Sequence, residues 1–156
     1  MNIQTIFGAQ FVLSLVTFGL VTRWFVSPWL SSKSWHDATI LLLLPHAIRH
    51  VGLGFLVQGL VDADAPSSFA GPAAYGDLTA GLLAIASMLA VRRGSSRAVP
   101  LLWVFSVVGV VHLLNALRQA DAIPHLGGMW FIPTFLVPIL LITHFMIIAQ
   151  LRTHRS

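Results

Sequence analysis

Five long apolar runs alternate with short polar stretches along this chain: Ile6–Val26, Ala38–Val61, Ala73–Val91, Ala98–Ala116 and Met129–Leu151. A helix needs about 20 predominantly apolar residues to cross the hydrocarbon of a bilayer, and each run is close to that length. The separators are rich in turn formers and charge: "SPWLSSKSWHD", "DADAPSSFAGP", "RRGSSR" and "RQADAIPHLGG". Connections this short predict that sequential helices pack as antiparallel neighbours. The expected fold is all-α: a polytopic membrane helix bundle of five transmembrane helices, forming a single integral membrane domain over residues 1–156. The first run has no basic residue before Arg23 and no small-residue cleavage signal after it. It reads as a retained span rather than a secretory leader.

Composition strengthens the membrane reading. Of 156 residues, 56% are hydrophobic and only 9% charged, and the mean hydropathy is +0.84. A soluble domain carries about 25% charged residues to coat its surface. Basic residues are divided unevenly between the two sets of loops. One side holds Arg23, Lys33, Arg92, Arg93, Arg97, Arg152 and Arg155; the other holds Arg118 with Asp62, Asp64 and Asp121. The positive-inside rule then predicts an outside N-terminus and a cytoplasmic C-terminus, in a membrane of the bacterial cytoplasmic (inner) type. Trp24, Trp29, Trp35 and Trp130 fall where interfacial anchors belong. The formal charge of +4 is not gathered into a stripe with interleaved aromatics, so nucleic acid is not an expected partner. Cysteine and glutamate are both absent. That excludes thiolate chemistry and carboxylate-rich di-iron sites.

Against this background, "LPHAIRHVGLGF" (Leu44 to Phe55) is the anomaly. Counting from the basic end at ~1.5 Å per residue puts His46 roughly 12 Å deep, Arg49 roughly 17 Å and His50 roughly 18 Å. On the same scale His112 lies about 21 Å deep, Asn115 about 25 Å and His144 about 10 Å, with Asp77 about 6 Å below the opposite edge. Positions three and four apart share a helix face. His46, Arg49, His50 and Leu53 are therefore expected on one face, as are His112 and Asn115, and Gln10, Ser14 and Thr17. An arginine at mid-membrane costs at least about 2.5 kcal/mol, so these faces should turn inward. Two levels result: His46 with His144, and Arg49 with His50 and His112. Gly52, Gly54, Gly59, Gly81 and Gly109 thin the helices, and Pro45, Pro133 and Pro138 interrupt their hydrogen-bond ladders. Small residues allow close packing, or make room for a flat cofactor.

Several chemistries fit these residue types. The i, i+4 pair His46 and His50 can chelate a metal, or one of them can pair across the bundle with His112 or His144 as axial ligands of haem b. Arg49 with Asp77 forms either helix glue or an anion site; by depth, Arg49 must reach outward to meet Asp77. His112, Asn115, Gln10, Tyr75 and Arg118 are expected to line a pocket open to the outside, suited to a quinone carbonyl, a lipid head or a proton path. His36, His125 and His154 fall in loops or the tail. No phosphate loop, GxSxG elbow or HExxH occurs.

Three classes of function remain. The leading expectation is a membrane protein whose His/Arg-lined interior holds haem b or a metal ion, in electron transfer. The alternative is a small proton- or anion-coupled transporter or channel, though the chain lacks the internal repeat many transporters show. The third is a non-catalytic subunit with a structural polar core. Expected partners are the lipid bilayer, a hydrophobic small molecule such as a quinone or lipid, and a second copy or larger membrane complex.

Overall fold

The computed structural model describes residues 1–153; His154 and Arg155, assigned above to the tail, lie outside them. Five helices are long and apolar enough to cross a membrane: α1 (Ile3–Ser31), α2 (Trp35–Leu56), α3 (Ser67–Arg92), α4 (Ala98–Leu117) and α5 (Gly127–Thr153). No strand occurs among the described residues. The apolar runs thus become helices, with shifted ends. Asn2 caps α1 by accepting the Thr5 amide at 2.8 Å, and Ser34 caps α2 by accepting that of Asp37 at 3.1 Å. Such caps satisfy amides that a helix start leaves unpaired.

Proline shapes two of the helices without ending them. In α1 the turn Thr22–Val26 widens into a π-helix just before Pro28, and the helix then continues to Ser31. In α5 the turn Ile132–Leu136 widens in the same way before Pro138. Proline has no N–H to give the ladder, and a local π turn absorbs the mismatch. Helix α3 begins at Ser67 rather than Ala73, because Pro72 falls early in the helix, where few ladder bonds are lost.

The largest departure from the sequence reading is in α2. It is α-helical from Trp35 to Ala47, then becomes a 3₁₀-helix from Ile48 to Leu56 and stops there, short of Val61. A 3₁₀-helix has 3.0 residues per turn, so positions three apart eclipse. The buried line along α2 accordingly runs His46, Arg49, Gly52, Phe55. His50 and Leu53, expected on that face by α-helical spacing, are rotated off it and exposed.

Helix α3 packs against both α2 and α4, and α5 against α4, α2 and α1. The contact of α3 with α2 uses small residues: Ala74, Ala80 and Ala84 are fully buried, and Gly81 lies against the backbone of His46 and His50. No residue of α1 between Ile3 and Val21 is buried. This corrects the expectation that Gln10, Ser14 and Thr17 join the interior. Helix α1 is fastened from outside instead, by Phe18 against Phe135 (ring centres 4.9 Å apart) and by the Trp130 indole N–H donating to Gln10 at 2.6 Å. Apolar clusters lie on both sides of the polar level: Leu43, Leu102, Phe105 and Ile147 toward the basic end, and Phe55, Phe69, Leu126 and Met129 toward the other.

At that second end the loops clasp each other. The Gly128 amide donates to the Leu60 carbonyl at 2.8 Å, and the Asp62 amide to the His125 carbonyl at 3.0 Å. Gly127 adopts φ +50, where a side chain would also strike the Leu60 carbonyl. Only glycine takes this turn without strain.

Candidate polar site inside the helix bundle

The centre of the bundle is built around Arg49, which is fully buried. Its Nε donates to Asp77 Oδ1 at 2.9 Å and its Nη2 to the same oxygen at 2.7 Å. His112 Nε2 stands 3.4 Å from that oxygen. The depth estimate had put Asp77 well above Arg49. The early start of α3 removes the discrepancy: beginning at Ser67 rather than Ala73, the helix carries Asp77 about 9 Å deeper, and the 3₁₀ segment turns Arg49 toward it. Close approach also depends on Gly52: a methyl group there would overlap the Asp77 carboxylate. Gly76 makes the same allowance for the His112 ring.

On the other side of Arg49 lies an aromatic group. The rings of His46 and His144 are 4.1 Å apart, and Phe105 stacks on His144 at 4.7 Å while meeting the edge of His46 at 4.9 Å. Both histidines are fully buried. The ring of His144 occupies the space left by Gly109, where a methyl group would collide with Nε2; the same point lies 3.3 Å from Arg49 Nη1. His46 Nε2 is 2.9 Å from the Thr143 hydroxyl. That hydroxyl also donates back to the Ile139 carbonyl at 2.9 Å.

Five polar atoms at this level have no hydrogen-bond partner among the described residues: Arg49 Nη1, His46 Nδ1, Ser106 Oγ, and both nitrogens of His144. Buried polar atoms are nearly always paired, and each unpaired one costs about 1–3 kcal/mol. Two of them, Arg49 Nη1 and His144 Nε2, adjoin the same point beside Gly109, a place suited to something polar.

Two cavities flank the site. One, of about 40 Å³, is lined by Phe7, Phe55, Phe69 and Leu126, with Asp77, His112 and Gln119 as its polar members. The other, of about 260 Å³, lies toward the basic end and is lined by Phe18, Trp29, Leu42, Pro45 and Met146, with Thr143 on its wall.

The structure thus brings together His46, Arg49, Asp77, His112 and His144, from four helices. It does not bring in the others. His50 is exposed, its Nδ1 3.3 Å from the Ala47 carbonyl of its own helix. Tyr75 is 60% exposed, and Gln10, Asn115 and Arg118 are exposed as well. None of these four lines the cavity beside Asp77, but Asn115 shares an open groove with His112, Gly76 and Thr79. His125 lies 3.6 Å from Asp62 in the loops. Phe105, Ser106 and Thr143 escaped the sequence reading. Their only signal was helical spacing from His112 and His144.

The same geometry bears on a cofactor. Two imidazoles on opposite faces of one metal at about 2 Å each would hold their donor nitrogens about 4 Å apart, with the ring centres further still. The His46 and His144 rings are too close to admit a porphyrin between them. Among the described residues no group of three or more His, Cys, Asp or Glu side chains is placed to hold a metal ion.

Fold and site define a bundle of five helices, each long and apolar enough to cross a membrane, with a charged, histidine-bearing core. The chain belongs to the DUF8737 family, a domain of unknown function whose profile matches residues 6–152. No curated protein and no solved structure matches the chain.

Proposed function

We propose that this protein is a small integral membrane transporter that carries a small monovalent anion together with a proton. Its N-terminus would be outside and its arginine-rich end in the cytoplasm of a bacterial-type inner membrane. The observation that carries the reading is the group of unpartnered buried atoms around Arg49 Nη1 and His144.

The charges explain the coupling. Arg49 is neutralised by Asp77 at 2.7 Å, so the empty site carries no net charge and is tolerable in a low-dielectric interior. Arg49 Nη1 retains donors on the side of His144 and suits an anion. An anion arriving alone would leave an uncompensated charge. A proton taken up by His144 restores neutrality and adds a donor. Release follows the polar file from His144 to His46 and Thr143, which faces the larger cavity.

The test is purified protein in liposomes loaded with a pH-sensitive dye. Inward gradients of chloride, nitrate or formate should acidify the lumen faster than in protein-free liposomes, and His144→Phe, which can still stack on Phe105, should abolish the difference. Equal rates with and without protein for all three anions would sink the reading. So would a Soret band in the purified protein that disappears in His144→Phe, because that would return the site to haem.

A further inference from the structure

The cavity beside Asp77 has a chemistry that anion transport does not use. Its walls are aromatic and aliphatic: Phe7, Phe55, Phe69, Leu113 and Leu126. The rings of Phe55 and Phe69 meet edge to face at 5.3 Å. Three polar side chains, Asp77, His112 and Gln119, join these walls. Asp77 and His112 are already engaged with each other through one oxygen. Asp77 Oδ1 takes both bonds from Arg49 and lies 3.4 Å from His112, while Oδ2 has no hydrogen bond from any described residue. As the ion-pair partner of Arg49, the carboxylate serves as a hydrogen-bond acceptor. A volume of 40 Å³ for water-sized centres corresponds to about three waters, or roughly 90 Å³ of liquid. That is the bulk of one six-membered carbon ring.

We infer that this cavity binds a lipid-soluble phenol or quinol: a flat apolar ring held among the phenylalanines, with one hydroxyl donating to Asp77 Oδ2. The clasped loops close the site from above, since Ala122, Ile123 and Leu126 between α4 and α5 form part of its wall. The site is independent of the anion reading, because its ligand meets Asp77 on the side away from His144.

The test uses the full chain in detergent, with phenol as probe and anisole, the same ring with the hydroxyl capped, as its control. Binding is read from the ligand-induced rise in melting temperature and by calorimetry. The phenol should bind at least tenfold more tightly than the anisole. Ala116→Leu fills the cavity from its partly exposed wall, away from Asp77. It should remove phenol binding while the unliganded melting temperature stays near that of the parent. Equal affinity for phenol and anisole overturns the inference, because the hydroxyl then has no acceptor. Unchanged phenol binding in Ala116→Leu also overturns it, as does no binding of either compound by the parent protein.

Discussion

Arg49 reaches Asp77 from the first turn of a 3₁₀ segment, and both of its bonds, at 2.9 and 2.7 Å, fall on one carboxylate oxygen. The two charges are out of water together. Removing one leaves the other stranded, which costs about 3–5 kcal/mol, whereas replacing both with apolar groups is often neutral. Asp77→Leu should therefore destabilise the protein by several kcal/mol, and the double change Arg49→Leu with Asp77→Leu should recover most of that. Unfolding in mixed detergent micelles, read by circular dichroism, checks the cycle. Additive losses in the double variant would show that the pair is not the relevant partnership.

Gly109 lets α4 close on α5. A methyl group there meets His144 Nε2 and crowds Arg49 Nη1. Overpacking of this kind costs about 1–3 kcal/mol. Gly109→Ala should lower stability by that amount, and the added His144→Ala should relieve the collision. Melting curves of the single and double variants measure the relief directly.

The change of helical period separates two histidines four residues apart. His50 is exposed while His46 is fully buried against Phe105 and His144. Substituting an exposed residue changes stability by about 0.5 kcal/mol or less. His50→Ala should stay in that range, and His46→Ala should cost more, since it opens a void and leaves Thr143 without its partner. If His50→Ala proves as damaging as His46→Ala, α2 is an ordinary α-helix through this stretch.

In the loop between α2 and α3, Asp62 Oδ1 accepts the Asp64 amide at 3.1 Å. That bond, the largest influence, holds the Asp62 carboxyl below the ordinary aspartate value against the opposing effect of desolvation, with smaller lowering contributions from His125 and the Ala63 amide. A depressed carboxylate favours the folded loop above its unfolded pKa and loses that contribution as pH falls through the folded one. The Asp64 amide resonance should thus titrate with a midpoint below the usual aspartate range. In Asp62→Asn the shift should vanish.

Orientation is open to direct labelling, because the chain has no cysteine. A cysteine at Ser95, between α3 and α4, should be protected from a membrane-impermeant maleimide in intact cells. One at Asp64, between α2 and α3, should react. The reverse pattern would invert the proposed topology.

Hydropathy made the five helices legible, because length and apolar content alone decide which segments can cross a membrane. Depth counting also paired His46 with His144, since both lie in regular α-helix, where the rise per residue is constant. It misplaced Asp77 relative to Arg49, because α3 starts at Ser67 and not at Ala73, and His50 relative to both, because α2 changes period. Nothing in "IRHVGLGF" states that period; the glycines only make departure from the α-helix cheaper. The peripheral place of α1 was equally hidden. Its Gln10, Ser14 and Thr17 form a polar stripe on paper, but α2 to α5 supply the whole interior between them. Gly109 was visible as a glycine, and its importance appeared only when His144 was found in the space it leaves.

The 3₁₀ stretch of α2 has one more effect, on length. Nine residues from Ile48 to Leu56 climb about 18 Å at ~2.0 Å each, where an α-helix would climb about 13–14 Å. The helix that carries the buried arginine is therefore drawn out along its own axis by about 4–5 Å. Relaxing it to a regular α-helix would shorten it by about one side-chain width, so the reach of α2 and the facing of Arg49 are set by the same nine residues.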